Sequence, residues 1–415
     1  MLLSYYGDDF TGSTDVMEAL ASHGVKTVLF TRMPSSSEYR QFTDYQAVGL
    51  AGTSRSQTPE WMEENLRPAL SWLKGLGAAY CHYKVCSTFD SSPTLGSIGK
   101  AIDIGSDLFR QAMVPLVVGA PQLKRYTAFG HLFAAYQGKV YRIDRHPVMS
   151  RHPVTPMTES DLTLHLALQT AIPVSLYDGG NQSGIVFFDV ADRATQLAAG
   201  EFLLRHGPFV AGSSGVEYAL LRAWAKTGQV VGHAAFAPLG AADRIAAVSG
   251  SCSPTTERQI RHALAHGFDG VEVDPLSLSV EGNGEAIRRA TAQAMQSLTS
   301  GRSVIICTAL GAATGRRRDL DPPARNRIGA ALGKIIRILI EKAGLRRAII
   351  AGGDTSSHAL GALDALALTT RYPLQATPGS PLCQIHGGPF DGLEIAMKGG
   401  QVGHDDYFVS LRDGR

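Results

Sequence analysis

Two adjacent carboxylates stand in the first polar loop of the chain. Gly7-Asp8-Asp9-Phe10-Thr11-Gly12-Ser13 follows an apolar run and surrounds Asp8 and Asp9 with small and hydroxyl residues. Such a pair can accept the proton of a substrate hydroxyl or hold Mg²⁺. An Asp N-cap in a tight turn is the bland alternative. A second loop, Lys84-Val85-Cys86-Ser87-Thr88-Phe89-Asp90-Ser91-Ser92, brings a lysine, an acid and four hydroxyls into nine residues. That set suits a small, polyhydroxylated anion: Lys84 for a carboxylate, and Ser87, Thr88, Asp90 and Ser91 for hydroxyls. Arg55, in Thr53-Ser54-Arg55-Ser56, adds a guanidinium able to grip a carboxylate bidentately. Three loops of similar chemistry weigh against a set of merely solvated turns. His131 and His152 read as structural hydrogen-bonders, and Gly212-Ser213-Ser214-Gly215 as a strand-to-helix corner.

The second half carries phosphate-type signals. Ser249-Gly250-Ser251-Cys252-Ser253-Pro254 follows an apolar run and opens a helical pattern, so free N–H groups and hydroxyls can cradle phosphate there. Ala351-Gly352-Gly353-Asp354-Thr355-Ser356-Ser357 repeats the design: glycines for close approach, Asp354 for Mg²⁺ or a ribose, hydroxyls for phosphate. Lys398-Gly399-Gly400-Gln401-Val402-Gly403 can close over a nucleotide from the other side. Basic, proline-containing Gly315 to Arg327 reads as an exposed flexible loop rather than a phosphate clamp. The chain holds no G-x-x-x-x-G-K-[ST] and no strand-following G-x-G-x-x-G, so a P-loop is excluded and dinucleotide binding is disfavoured. Zinc-protease and nucleophile-elbow motifs are absent too.

These loops need strand ends to hold them. Leu2 to Tyr6, Gln46 to Ala51, Tyr80 to Val85, Ile185 to Phe188, Phe209 to Ala211, Arg244 to Val248, Ser303 to Thr308 and Ala348 to Ala351 are short apolar runs, most of them followed by a polar loop and a helical pattern. The alternation predicts an α/β protein of two domains, each a mostly parallel sheet flanked by helices, with the ligand cleft between them. Ligands of such sheets sit beyond the carboxyl ends of the strands. Helices are predicted from Thr58-Pro59 to Gly75, from a capping box at Thr158 to Asp161, and from Ser253-Pro254 to His266-Gly267. Leu382 to His386 and Leu393 to Lys398 predict a hairpin. A Gly-, Ala- and Pro-rich linker, 229–242, separates domains 1–228 and 243–415.

Composition bounds the function. With 415 residues, about 100–200 per domain favours two domains, with three the alternative. Hydrophobic residues are 44% and charged ones 18%, which excludes wholesale disorder. Lysine and arginine (39) nearly balance aspartate and glutamate (37), so neither a nucleic acid nor a membrane is an expected partner. Five cysteines without a C-x-x-C pair argue against disulfides and structural zinc and for a reducing cytoplasm.

Taken together, GDDFTGS, KVCSTFDSSPTLGSIG, HPVTPMTESDL, SGSCSPTTERQ, GGDTSSHA and KGGQVG resemble, in order, the motifs of the four-carbon acid sugar kinase family. The resemblance spans nearly the whole chain. It implies an N-terminal sugar-acid-binding domain, a C-terminal nucleotide-binding domain, and ATP-dependent phosphorylation of a small sugar acid at its terminal hydroxyl. Four-carbon, branched and 3-oxo acids are the expected substrates, and ATP and Mg²⁺ the cofactors. It places substrate contacts at Asp8, Asp9, Arg55, Lys84, Ser87, Thr88, Asp90 and Ser91, with Asp9 or Asp8 the general base. ATP contacts fall at Ser249, Ser251, Gly352, Gly353, Asp354, Thr355, Gly399 and Gly400, and the protein ligands of any metal stay unassigned. Gly7 replaces the family's alanine, Asp354 its glutamate, and KGGQVG its K-S-G-N-F-G. A sugar-acid dehydrogenase or aldolase and a non-catalytic sensor are the alternatives, and a homodimer is left open.

Overall fold

The computed structural model describes residues 1–152, 154–310, 320–374 and 377–415, and the side chains of Pro322, Asp354 and Ser357 lie outside that description. The chain divides into two compact units, Met1–Ala234 and Ala235–Arg415. The first contains β1 (Leu3–Gly7), β2 (Thr27–Phe30), β3 (Ala47–Ala51), β4 (Tyr80–Lys84), β5 (Met113–Val117), β6 (Arg125–Ala128), β7 (His131–Tyr136), β8 (Lys139–Arg142), β9 (Val174–Leu176), β10 (Gly184–Phe188) and β11 (Phe209–Gly212). Its main sheet is parallel throughout, in the order β2-β3-β1-β4-β11-β5-β10-β9. β6, β7 and β8 form a separate antiparallel sheet. Runs such as LSYYG and TVLF are buried at every position, as strands covered on both faces require.

Connectivity puts the first polar loops together. From β1 the chain runs through the helix Phe10–Ser22 to β2, on one side of the sheet. From β4 it runs through the helix Ile98–Phe109 to β5, on the other side. β1 and β4 are neighbours, Gly7 opposite Lys84, so their loops flank the point where the strand order reverses.

The second unit repeats this arrangement with β12 (Ala246–Ser249), β13 (Phe268–Glu272), β14 (Ser303–Cys307), β15 (Arg347–Ala351), β16 (Ala367–Tyr372), β17 (Leu382–His386) and β18 (Glu394–Lys398). Its order is β13-β14-β12-β15-β18-β17-β16, and only β17 runs antiparallel to both neighbours. Ile245, Ile260, Phe268, Ile305, Ile349 and Phe408 belong to its core. β12 continues toward β13 and β15 toward β16, in opposite directions, so the glycine corners after β12 and β15 flank a second reversal point.

Two local expectations are corrected. Thr158 to Ser160 do not begin a helix; Asp161 caps Leu162–Ala167, its Oδ1 accepting the Thr163 N–H at 2.9 Å and reaching that of Leu164 at 3.3 Å. Gly315 to Arg327 is not one loop. Residues 315–319 lie outside the described residues, while Asp321 caps a helix over Pro322–Ala343, with proline in its first turn. The predicted helices at Pro59 and Pro254 form, capped by Thr58 and Ser253, and the hairpin is β17–β18. No described helix is long and apolar enough to cross a membrane.

Candidate active site

Asp8 and Asp9 leave β1 directly, and the Asp8 N–H donates to the Lys84 carbonyl at 2.9 Å, tying the loop to β4. Asp9 caps the helix Phe10–Ser22: its Oδ1 accepts from the Gly12 N–H at 2.5 Å and its Oδ2 from Arg55 Nη1 at 2.6 Å. Arg55 Nη2 reaches both oxygens of Asp90 at 2.9 Å. Asp90, whose side chain is fully buried, also accepts from Thr88 at 2.5 Å and Thr155 at 2.8 Å. Arg55 therefore already bridges two carboxylates, and Asp90 already has three donors. Ser91 joins this loop to the helix Leu162–Ala167 and the residues after it: it donates to the Phe89 carbonyl at 3.1 Å and meets His165 Nε2 and Gln169 Nε2 at 3.0 and 2.9 Å. Between them, buried Phe89 holds φ at +56°, a strained value for a side-chain-bearing residue. Ser87 is half-buried at the same turn.

Asp8 is built differently. It is buried, and its Oδ1 has no hydrogen-bond partner. Burial, and next the charge of Asp9, pushes its carboxyl up to about 7. Burial also pushes Asp9 up, yet the Arg55 and Lys84 charges, with the hydrogen bonds from the Gly12 N–H and Arg55, hold that carboxyl below its ordinary value. Two adjacent acids thus separate into a resting carboxylate and a group poised to exchange protons near neutrality. Lys84 ends β4 buried, donating to the Val85 carbonyl at 2.8 Å. Burial disfavours its charge, but Asp15, Asp8 and Asp9 together raise it above the ordinary lysine value.

Behind this layer lie groups that the motif reading missed. Asp15 accepts the Ser214 hydroxyl on Oδ2 and leaves Oδ1 buried without a partner. His82 and Glu217, fully buried, meet at 2.5 Å through Nδ1 and Oε1, and His82 Nε2 lies 3.0 Å from the Gly212 carbonyl. Asp15 and Glu217 sit on the buried faces of their helices, where a charged residue in an apolar stripe was the available signal.

In the second unit, Ser249 is buried at the end of β12, and the Gly250 N–H donates to the Ala351 carbonyl at 3.1 Å. Ser253 caps the helix Pro254–Ala265, accepting from the Thr256 N–H at 3.1 Å. Gly352, at φ +117°, turns β15 into the helix Gly353–Ala362, which has no side-chain cap. That leaves N–H groups of its first turn for a ligand. A Cβ on Gly353 or Gly399 would meet nothing within 4 Å, so both face open space. A Cβ on Gly400 would lie 2.6 Å from Ser251 Oγ, and the Gly400 carbonyl accepts the Ser253 hydroxyl and, at 2.9 Å, the Thr256 hydroxyl. Thr355 Oγ1 is buried and unpartnered.

Lys398 completes this corner and was not among the expected contacts. It is fully buried at the end of β18, donates to Thr256 Oγ1 at 3.0 Å, and makes no ion pair with a carboxylate among the described residues. Burial pulls its ammonium down to about 8. An ammonium without a counter-ion beside a helix N-terminus calls for an anion. Its signal was plain in retrospect: a lysine ending a strand just before two glycines.

The family model described as a sugar-binding N-terminal domain matches residues 3–220, and that described as a nucleotide-binding C-terminal domain matches residues 246–408. The chain is 43% identical to the 3-oxo-isoapionate kinase of Paraburkholderia graminis, over all of this chain and 95% of that protein. It is 30% identical to a 3-oxo-tetronate kinase of Pseudomonas fluorescens, over 98% of this chain and 95% of that one. A crystal structure from Salmonella typhimurium LT2 shares the fold with a TM-score of 0.79 at 24% identity, covering 98% of both chains. Protein HI1011 of Haemophilus influenzae does so with a TM-score of 0.74 at 22% identity, covering 99% of both.

Proposed function

Because the chain belongs to the four-carbon acid sugar kinase family, and is thereby a carbohydrate kinase, we propose that it transfers the γ-phosphoryl group of ATP to the terminal hydroxyl of a small 3-oxo sugar acid. A branched acid of the 3-oxo-isoapionate type is favoured, since 43% identity joins the chain to that relative and 30% to a straight-chain 3-oxo-tetronate kinase. The observation that carries the chemistry is Asp8, a buried carboxyl with a free oxygen and a proton affinity matched to neutral pH.

Phosphoryl transfer asks the protein chiefly for positioning and charge neutralisation. Asp8 accepts the proton of the attacking hydroxyl. Asp9 cannot rotate freely, since Gly12 and Arg55 hold its two oxygens; it keeps Asp8 basic by its charge and orients the loop. Arg55 and Asp90 lock the hydroxyl-bearing turn against that loop, leaving Ser87 to meet a substrate hydroxyl. In the C-terminal unit, the first turn at Gly352 to Thr355, Ser251 and the Gly399–Gly400 turn receive the phosphates, and Lys398 matches their charge. Among the described residues no group of three His, Cys, Asp or Glu could hold a metal ion, which fits Mg²⁺ arriving on ATP with phosphate oxygens as its main ligands. There it would neutralise charge on the β- and γ-phosphates. The five free thiols fit work in the reducing cytoplasm.

A coupled ADP-release screen over 3-oxo-isoapionate, 3-oxo-tetronates, threonate and erythronate tests the proposal. Acid-dependent ADP release is expected, highest with the branched 3-oxo acid. ADP release that ignores every acid would sink it.

A further inference from the structure

The acceptor acid carries a carboxylate, and the two cations expected to bind it have other partners. Arg55 bridges Asp9 and Asp90, and Lys84 is buried among Asp15, Asp8 and Asp9. Arg125 has no such partner among the described residues. It opens β6, and its backbone pairs with Ala120 just beyond the end of β5. The loops after β4, β11 and β5 are contiguous there: the Val85 N–H donates to the Gly212 carbonyl at 2.8 Å, and Ser213 Oγ to that of Val118 at 2.6 Å. Arg125 thus stands on the same crest as the hydroxyl-rich turn.

Its surroundings suit an anion. Arg125 is opposite Ala134, and Ala134 opposite Tyr141, so the three share one face of the small sheet. Thr127 lies on that face too, and its hydroxyl accepts the Val190 N–H at 2.8 Å, turning the face toward the end of the main sheet. Arg125 Nη1 donates to the Leu123 and Lys124 carbonyls at 3.1 and 3.3 Å, but its Nε is buried with no partner. No carboxylate pairs with it among the described residues. Burial weakens its charge, and Cys86, in the hydroxyl-rich turn, is near enough to act on it as it does on Arg55. A half-buried guanidinium with a free N–H and no counter-ion is a carboxylate receptor.

We infer that Arg125 binds the carboxylate of the acceptor acid, which rests on the sugar-acid reading above. The competing role is a purely structural one, closing the turn Pro121–Leu123 through its carbonyls.

The test is calorimetric titration of the full chain with 3-oxo-isoapionate, with erythritol as a neutral probe, and separately with ATP. Arg125→Gln should weaken the acid roughly 10- to 150-fold, the range of a charged hydrogen bond, and leave ATP affinity unchanged. Erythritol should bind both proteins equally, and Arg125→Lys should recover part of the loss. Unchanged acid affinity in Arg125→Gln, equal losses of acid and ATP affinity, or no acid binding by the wild type would each overturn the assignment. A wild type that binds the acid through Arg125 yet releases no ADP would support it and count against the kinase reading alone.

Discussion

Replacing Asp8 by Asn should produce two opposite effects at once. Asn keeps the shape of the side chain but cannot take a proton, so turnover should fall on the order of 10²–10⁴-fold. The same change should stabilise the protein at alkaline pH. Asp8 titrates near 7 in the folded chain, against an ordinary carboxylate near 4. Between those values the folded protein holds a proton that the unfolded chain has released, so stability falls as pH rises through the window. Above pH 7 the deficit is complete, and three decades at about 1.4 kcal/mol each make it on the order of 4 kcal/mol. Asn carries no such deficit. At about 2–4 °C per kcal/mol, Asp8→Asn should therefore melt several degrees above wild type at pH 8. At pH 4 the difference should vanish. Initial rates of ADP release from pH 5.5 to 9 and calorimetric melting at pH 4 and 8 give both readings. In wild type kcat/KM should drop on the acid side near pH 7. Near-normal turnover, or a rate loss without alkaline stabilisation, would refute the reasoning.

Lys398→Met should weaken ATP on the order of 10- to 150-fold by loss of a charged hydrogen bond, read by titration calorimetry. Because the wild-type ammonium titrates near 8, ATP affinity should also fall as pH rises from 7 to 9, a dependence the variant should lack. Gly352→Ala forces a side chain into φ +117°, a strain on the order of 1–3 kcal/mol, and should lower melting temperature and ATP affinity together. Thr155→Val removes one donor from the buried Asp90 carboxylate and should cost about 1–3 kcal/mol in denaturant unfolding.

Much of the architecture was legible because strand and corner signals coincide. Apart from Leu382–His386, which runs antiparallel, each buried apolar run that ends in a polar or glycine-rich loop became a parallel strand, and Thr58-Pro59 and Ser253-Pro254 fixed helix starts through local capping. The small sheet β6–β8 was not legible. Its residues alternate only partly, burying Leu132 and Ala134 while Val140 stays exposed, so no period stands out. Residue types in the loops were legible as well, but their partners were not. Arg55 has the right chemistry for a substrate carboxylate, and only the fold shows Asp9 and Asp90 on either side of it. Asp8 and Asp9 look alike in sequence; a helix cap and one guanidinium separate them. Arg125 carries no motif at all, and that no described carboxylate pairs with it is visible only in three dimensions.

Product analysis of one reaction bears most directly on the kinase proposal. Full-length protein, ATP·Mg²⁺ and 3-oxo-isoapionate should yield ADP and a new phosphate monoester in equal amounts by ³¹P NMR, with coupling of the phosphorus to a terminal CH₂. Inorganic phosphate in place of the ester, or an ester formed equally well on a neutral sugar, would contradict it.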